Sequence, residues 1–539
     1  MIGLLRRVLP PVLCRSYARL VEQLRHPALA QSALLRELLR DSAATEYGRA
    51  HGVRAGDDYE AFAARLPLVG YDDVSEWIER QQQTEGKVIV AERVLFYELT
   101  SGSNGAAKQI PYTQSLKDSF NRMFAVWLYD LLARGPRFET GKLFISISPV
   151  FQPKPKTARG VRVGLEDDAE YLNPWMRGLL KRFFVVPPAI KRLSDAMDFK
   201  HALAVLLLAE ARLEAISIWN PSLLEVLLDY VEASRDVLIA DLHQGSIRRD
   251  GFAYKFKRAS RERLALLDEQ PLDWARIWPH LKLISCWTDA HARAAARQIA
   301  RRFPNVFIQG KGLLATEAPM TLPLIAAGGC VPMVGEVFYE FIDNSGRLSR
   351  LHELEAGREY EIIVTPRGGL TRYRIGDRVR VTHFYQSTPC LEFIGRSDGV
   401  CDLVGEKLNE SFVQSCLSQR VDSSSRFQML LPVMAASGPS HYVLVTDELA
   451  GDGNGFAKRL DDAFCEAHHY QLARRRGQLA PLRVCVVPAA RDTYYDYLIS
   501  KGMKWGDIKQ QCLIRNLEDA TQLLARFEAS AAHCRALDG

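Results

Sequence analysis

An alternation limits the fold of this chain more than any other feature. Four short apolar segments, Lys142 to Ser148, Ala215 to Trp219, Leu281 to Trp287 and Asn305 to Gln309, alternate with longer helical stretches. The helical stretches are Ser115 to Ala133, His201 to Leu213, Leu223 to Ala233 and Asp289 to Phe303. Short buried strands joined by helices long enough to cross back over a sheet predict α/β layering with largely parallel strands. From about Gly328 the pattern changes to short strands with glycine turns. After Arg396 a smaller unit follows, in which strands over Phe427 to Ala435, His441 to Thr446 and Leu482 to Val487 flank a helix near Phe456 to His468. That order reads as a small α+β lid. A chain of 539 residues has room for more than one domain. It shows no internal repeat and no low-complexity tract.

Composition removes several functional classes. A net charge of +6 is small for this length, and no basic run or RNA-type motif accompanies it, so nucleic acid is not an expected partner. Arg474-Arg475-Arg476 reads as a solvated helix face. Ten cysteines are scattered without a Cys-x-x-Cys pair, which points away from a zinc or redox centre and towards reduced, mostly buried thiols in a cytoplasmic protein. The most apolar run, Leu203 to Ala209, is far short of the ~20 residues a bilayer requires and reads as a buried helix. At the N-terminus, Arg6 and Arg7 precede an apolar stretch that Pro10 and Pro11 interrupt, with no Ala-x-Ala site after it. An amphipathic first helix is expected there, with reversible membrane contact as the lesser alternative and no stable insertion.

Four segments carry chemistry. Thr100, Ser101, Gly102, Ser103, Asn104 and Gly105, then Lys108 three residues on, follow the strand-like run Val94 to Tyr97. Glycines let the backbone N–H groups approach phosphate oxygens, hydroxyls add donors, and the lysine adds charge. The spacing is not that of a Walker A loop, which needs four residues between the glycines and a lysine directly after the second. Thr316-Glu317 follows the strand Asn305 to Gln309 and the loop Gly310-Lys311-Gly312. It could offer a hydroxyl to a phosphate and a carboxylate to Mg²⁺, a hard ion that prefers oxygen. Tyr373-Arg374-Ile375-Gly376-Asp377 lies between strand-like Tyr360 to Thr365 and Val379 to Thr382, where a carboxylate could accept both ribose hydroxyls. Gly395-Arg396-Ser397-Asp398 precedes Gly405-Glu406-Lys407-Leu408-Asn409-Glu410. Each has a plain structural alternative: a polar loop, an exposed loop acid, a Gly-Asp hairpin turn and a charged linker.

Taken in order, these segments resemble the adenylate-forming superfamily: a phosphate loop, a Thr-Glu step, a ribose-binding Gly-Asp step and a Gly-Arg-x-Asp hinge. The closer resemblance is to the auxin-responsive amido synthetase (GH3) family of plants and its bacterial members. It is carried by Gly-Lys-Gly-Leu-Leu-Ala-Thr-Glu, by Val163 to Leu172, by Gly405 to Glu410, and by Tyr470, Arg474, Gly477-Gln478-Leu479 and Pro481-Leu482-Arg483-Val484. The likeness covers about residues 1 to 515. Plant members carry Tyr-Ala-Ser-Ser-Glu where this chain has Leu313-Leu314-Ala315-Thr316-Glu317, so the tyrosine that could stack on adenine is missing.

The resemblance implies an N-terminal adenylate-forming domain over 1–395 that binds ATP and an acyl acid, and a mobile lid over 396–539. It implies activation of a carboxylic acid by ATP with Mg²⁺, then transfer to an amine, commonly an amino acid. Residues 100 to 105 and Lys108 would hold the β- and γ-phosphates. Thr316 would donate to the α-phosphate, Glu317 would bind Mg²⁺ and Asp377 the ribose. Arg396, which also borders the nucleotide, and Asp398 would form the hinge. Lys509 would reach the α-phosphate or acyl oxygen, with Lys501 and Lys504 close enough to compete. Two other outcomes stay open: a thiol acceptor, from coenzyme A or a separate carrier protein, and a nucleotide-binding homologue without catalysis. Trp219, Trp287, Tyr339 and Phe341 are candidates for an apolar acyl pocket, each with a core role as the alternative.

Overall fold

The computed structural model describes residues 2–99, 108–146, 157, 159–164, 178, 182–193, 195–249, 251–396, 399–404, 406–420, 425, 427–435, 439–449, 452–475, 478–503, 505 and 508–537. The chain divides into two compact units, one of residues 1–288 and 299–393, the other of 289–298 and 394–539.

In the first unit the strands Lys142–Ile145, Leu213–Ser217, Leu283–Ser285 and Phe307–Gln309 pair side by side, all parallel, in chain order. This is the layering that the alternation predicts. Local chemistry sets the helix starts. Thr113 caps the helix Gln114–Arg134 by accepting from the Leu116 N–H, and Asn220 caps Pro221–Ala233, whose proline occupies the first turn. The helix Ala196–Ala209 is sunk in the core, with Leu203 to Leu208 at most 3% exposed.

The first helix expected at the N-terminus is present, and the two prolines that interrupt its apolar stretch do not end it. The helix spans Ile2–Arg25 with Pro10 and Pro11 inside it. Leu9 and Leu13 pack against Ala125, Leu128, Tyr129 and Leu132 of the helix Gln114–Arg134. Leu9 and Leu13 of its apolar stretch are therefore used inside the unit. Among the described residues, no helix is long and apolar enough to cross a membrane.

Beyond Gly328 the strands are longer than expected. Val337–Ile342, Leu348–Arg350, Glu359–Pro366, Tyr373–Tyr385 and Thr388–Arg396 are the strands of a five-stranded sheet, the longest with 13 residues. Tyr339 and Phe341 are fully buried in it, so they belong to the core rather than to a pocket.

The second unit has its own core, from Cys401 to Leu513. Gln428–Val433 and His441–Thr446 pair antiparallel, and Arg483–Val486 adds in parallel across the helix Gly453–Phe464. This is the α+β order read from the sequence.

Candidate active site

The Thr-Glu step is the turn of a tight hairpin. Leu314–Ala315 pairs with Ala318–Pro319, leaving Thr316 and Glu317 as its two loop residues. Two buried phenols hold it. The Tyr112 hydroxyl donates to the Thr316 carbonyl at 2.7 Å, and the Tyr373 hydroxyl lies 3.4 Å from Glu317 Oε1. Glu317 is 7% exposed although it sits on a turn. A carboxylate is rarely buried at a turn unless a partner compensates it.

Lys108 stands one residue before the strand Gln109–Tyr112 that carries Tyr112. Its Nζ lies 5.5 Å from the centroid of the Tyr71 ring, and the Gln109 N–H donates to the Tyr71 hydroxyl oxygen at 2.9 Å. Burial raises the Tyr71 phenol above its ordinary value, and Glu317 is one of the carboxylates that push it further. Tyr71 is thus a common neighbour of the predicted cation and the predicted acid. The sequence reading missed Tyr71 and Tyr112. The pattern Lys108-Gln109-Ile110-Pro111-Tyr112, which carries a buried aromatic into the hairpin, was the available signal.

Asp377 is placed differently from the sequence expectation. The segment around Gly376 lies within the continuous strand Tyr373–Tyr385, not in a turn between two strands. The ladder to Glu359–Pro366 shifts register between Glu361 and Ile363, opposite this segment. Gly376 has φ +83°, which a side chain would resist, so glycine permits the bulge that re-aims the following residue. Asp377 is 8% exposed. The strand entry is clamped by Arg372, itself at φ +48°. Its guanidinium grips both oxygens of Glu340 at 2.8 and 2.9 Å and donates to the Ala63 and Leu66 carbonyls.

In the second unit the two motif carboxylates face inward. Glu406 accepts from the Leu403 and Val404 N–H groups at 2.7 and 2.8 Å and from the Tyr442 hydroxyl. Glu410 accepts from the Cys512 N–H at 3.3 Å, and burial raises its carboxyl. Arg396 ends its strand exposed, next to Gly395 at φ +146°. Lys509 is half-buried, and its carbonyl accepts from the Tyr494 hydroxyl at 3.0 Å. Lys501 is 3.4 Å from Asp519 and lies over the Tyr497 ring, an arrangement of the surface between two helices. Thr100, Ser101, Gly102, Ser103, Asn104, Gly105, Asp398 and Lys504 lie outside the described residues.

Among the described residues no cluster of three histidine, cysteine or acidic side chains could hold a metal ion. A single buried carboxylate still fits Mg²⁺, which keeps its waters and is usually bound through one or two carboxylates plus substrate phosphates. Glu317 meets this description.

Residues 16–307 match the GH3 family N-terminal domain, 330–396 its central domain and 412–518 its C-terminal domain. An indole-3-acetic acid-amido synthetase, GH3.8 of Oryza sativa subsp. indica, is 25% identical over 575 residues, covering 93% of this chain and 92% of that protein. A probable indole-3-acetic acid-amido synthetase, GH3.2 of Oryza sativa subsp. japonica, is 24% identical, covering 88% and 86%. The solved structure of the GH3.15 acyl acid amido synthetase in complex with 2,4-DB superposes with a TM-score of 0.84 at 19% identity, covering 97% of this chain and 96% of that one.

Proposed function

The chain belongs to the GH3 family, and on that footing we propose that it is an ATP-dependent acyl acid amido synthetase. It activates a carboxylic acid as the acyl-adenylate and passes the acyl group to an amine, commonly an amino acid, releasing pyrophosphate and then AMP. The single observation that carries the reading is the Thr316-Glu317 hairpin turn, with Glu317 buried beside Tyr373 and the Thr316 carbonyl held by Tyr112, in a chain that matches the family's three domains between residues 16 and 518.

A carboxylate is a poor acyl donor because hydroxide is a poor leaving group. Attack of a carboxylate oxygen on the α-phosphorus breaks the bond to pyrophosphate and supplies AMP as the better leaving group. Charge grows on phosphate oxygens in that step, and fixed donors and cations aimed at them lower its barrier. Thr100 to Gly105 and Lys108 take the β- and γ-phosphates. Thr316 donates its hydroxyl to the α-phosphate. Glu317 would hold Mg²⁺, which would neutralise charge on the phosphates. Asp377, re-aimed by the bulge, accepts the ribose hydroxyls. In the second step the amine attacks the acyl carbon and the bond to AMP breaks. Residues 396–539 form the lid, Arg396 and Asp398 its hinge, and Lys509 acts in adenylation. The cytoplasm is the proposed compartment, since the cysteines among the described residues are free thiols.

The test is pyrophosphate release from Mg-ATP over a panel of carboxylic acids, with and without mixed amino acids, and with product mass measured. Acid-dependent release with an amide product is expected. Release that responds only to coenzyme A would move the acceptor to a thiol, whose thioester hydroxylamine cleaves. The relatives' names favour the amine over coenzyme A or a carrier protein. Lys509→Ala should block adenylation yet still consume a supplied acyl-adenylate. Normal turnover from ATP would pass that role to Lys504 or Lys501.

A further inference from the structure

In open α/β sheets, ligands bind beyond the carboxyl ends of the parallel strands. Here that edge is continued past the strands by backbone hydrogen bonds. The Ser146 N–H donates to the Ser217 carbonyl at 2.8 Å, Ile218 to Ser285 at 2.9 Å, Trp287 to Trp219 at 2.8 Å and Cys286 to Gln309 at 3.0 Å. The residues leaving the edge are unlike ordinary strand ends. Trp219 and Trp287 are both half-buried, with ring centroids 5.9 Å apart. Beside them the Lys311 ammonium lies 4.9 Å from the centroid of the Trp219 ring and donates to Ser217 Oγ at 2.9 Å.

The backbone fixes this lysine. A Cβ on Gly310 would come within 2.6 Å of Thr288 Oγ1, and one on Gly312 within 2.7 Å of the Thr321 carbonyl oxygen. Lys311 is therefore held between two positions that only glycine fills. It is also five residues before Thr316, so the loop that sets it runs directly into the Thr-Glu turn. Its charge reaches inward: burial pushes the Cys286 thiol up to about 12, Lys311 acts to lower it, and the buried Glu225 acts to raise it.

A cation laid on an aromatic face keeps its charge at less desolvation cost than one buried in aliphatic surroundings. The floor it shares with the tryptophans suits a flat apolar body with an oxygen at its rim. We propose that Lys311 is a specificity-determining residue of the acid site, selecting carboxylic acids with a planar apolar body and an oxygen acceptor, a hydroxyl or second carboxylate. The inference rests on the amido synthetase reading, because it presumes that the acid is activated at this edge. Ser217 is a positioning residue that orients the ammonium, and Trp219 and Trp287 take the flat body.

The experiment pairs plain acids with hydroxylated and dicarboxylic counterparts, benzoate with the hydroxybenzoates and phthalates, and hexanoate with adipate. The readout is the ratio of kcat/KM within each pair for the wild type, Lys311→Met, Lys311→Arg and Ser217→Ala. Because Lys311→Met removes a charge-assisted hydrogen bond, the wild-type preference for the oxygen-bearing aromatic acid should fall about 10- to 100-fold. Lys311→Arg should keep part of it, and Ser217→Ala should lose a smaller part. An unchanged ratio in Lys311→Met, or a wild-type preference for the aliphatic pair, overturns the proposal. Calorimetric titration of the same acids into the full chain with a non-hydrolysable ATP analogue separates the two readings. Selective binding that Lys311→Met abolishes, without pyrophosphate release, would keep the acid site and remove the synthetase reading. Equal binding to wild type and Lys311→Met would remove the acid site alone.

Discussion

Glu317 and Glu406 are both buried motif carboxylates beside a buried tyrosine hydroxyl, yet their surroundings assign them different work. Glu406 is 1% exposed and accepts from two backbone N–H groups as well as from Tyr442. A carboxylate with that many donors stabilises the loop around it. Glu317 sits at the tip of a two-residue turn, and its phenol partner is 3.4 Å away, beyond the usual O–H···O distance. An acid placed at a turn but kept from water suits a cation that arrives with the substrate. A motif acid is thus told apart by where the fold places it, and four-letter likeness alone would treat the two as equals.

The largest effect that could break this comparison is Glu317→Gln. Loss of one preorganised electrostatic group at a reacting centre commonly costs about 10²- to 10³-fold in kcat. Adenylation should fall by that order, the Mg²⁺ concentration for half-maximal rate should rise, and the melting temperature should barely move. A Mg²⁺ dependence identical to wild type would remove the metal role. Glu406→Ala should do the reverse. It leaves the Leu403 and Val404 N–H groups without an acceptor, for about 2–4 kcal/mol of stability. A lowered transition in urea unfolding is expected, with the KM for ATP intact at temperatures where the variant is folded.

Gly376→Ala is the next smaller effect and probes the ribose side. At φ +83° a Cβ costs roughly 1–2 kcal/mol. Relief of that strain would straighten the bulge and turn Asp377 away, so the KM for ATP should rise several-fold with kcat less affected. Asp377→Ala should raise the same KM more strongly with the fold retained, and an unchanged KM in both variants would free this strand of the ribose role.

Much of this is legible in the sequence alone. The parallel sheet follows from apolar runs at Ala215 to Trp219 and Leu281 to Trp287 spaced by helices, because period and length are local properties of a sequence. The α+β order of the second unit was legible for the same reason. The clamp on Thr316 was not, because Tyr112 lies 204 positions away in sequence and nothing near either residue records the contact. The Gly376 bulge was misread as a turn because glycine followed by aspartate serves both, and only the partner strand decides between them. The amphipathic first helix was legible too, and packing against the helix Gln114–Arg134 accompanies its run through Pro10 and Pro11. Of the four pocket candidates, Trp219 and Trp287 sit at the sheet edge and Tyr339 and Phe341 in the core, a division that residue type alone could not make.

The finest test removes only the two phenolic oxygens. Tyr442→Phe takes one donor from Glu406 and leaves two backbone donors, so a stability loss of about 1 kcal/mol is expected, with no change in Mg²⁺ dependence. Tyr373→Phe takes a long contact from Glu317, and its stability cost should be smaller still. If that phenol orients the carboxylate towards an incoming cation, the Mg²⁺ concentration for half-maximal adenylation should rise about two- to five-fold, a shift worth less than about 1 kcal/mol. Phenylalanine at 373 with an unshifted Mg²⁺ curve would make Tyr373 a packing residue. A shifted curve for phenylalanine at 442 would erase the distinction between the two acids, because a donor to a purely structural carboxylate has no route to the metal.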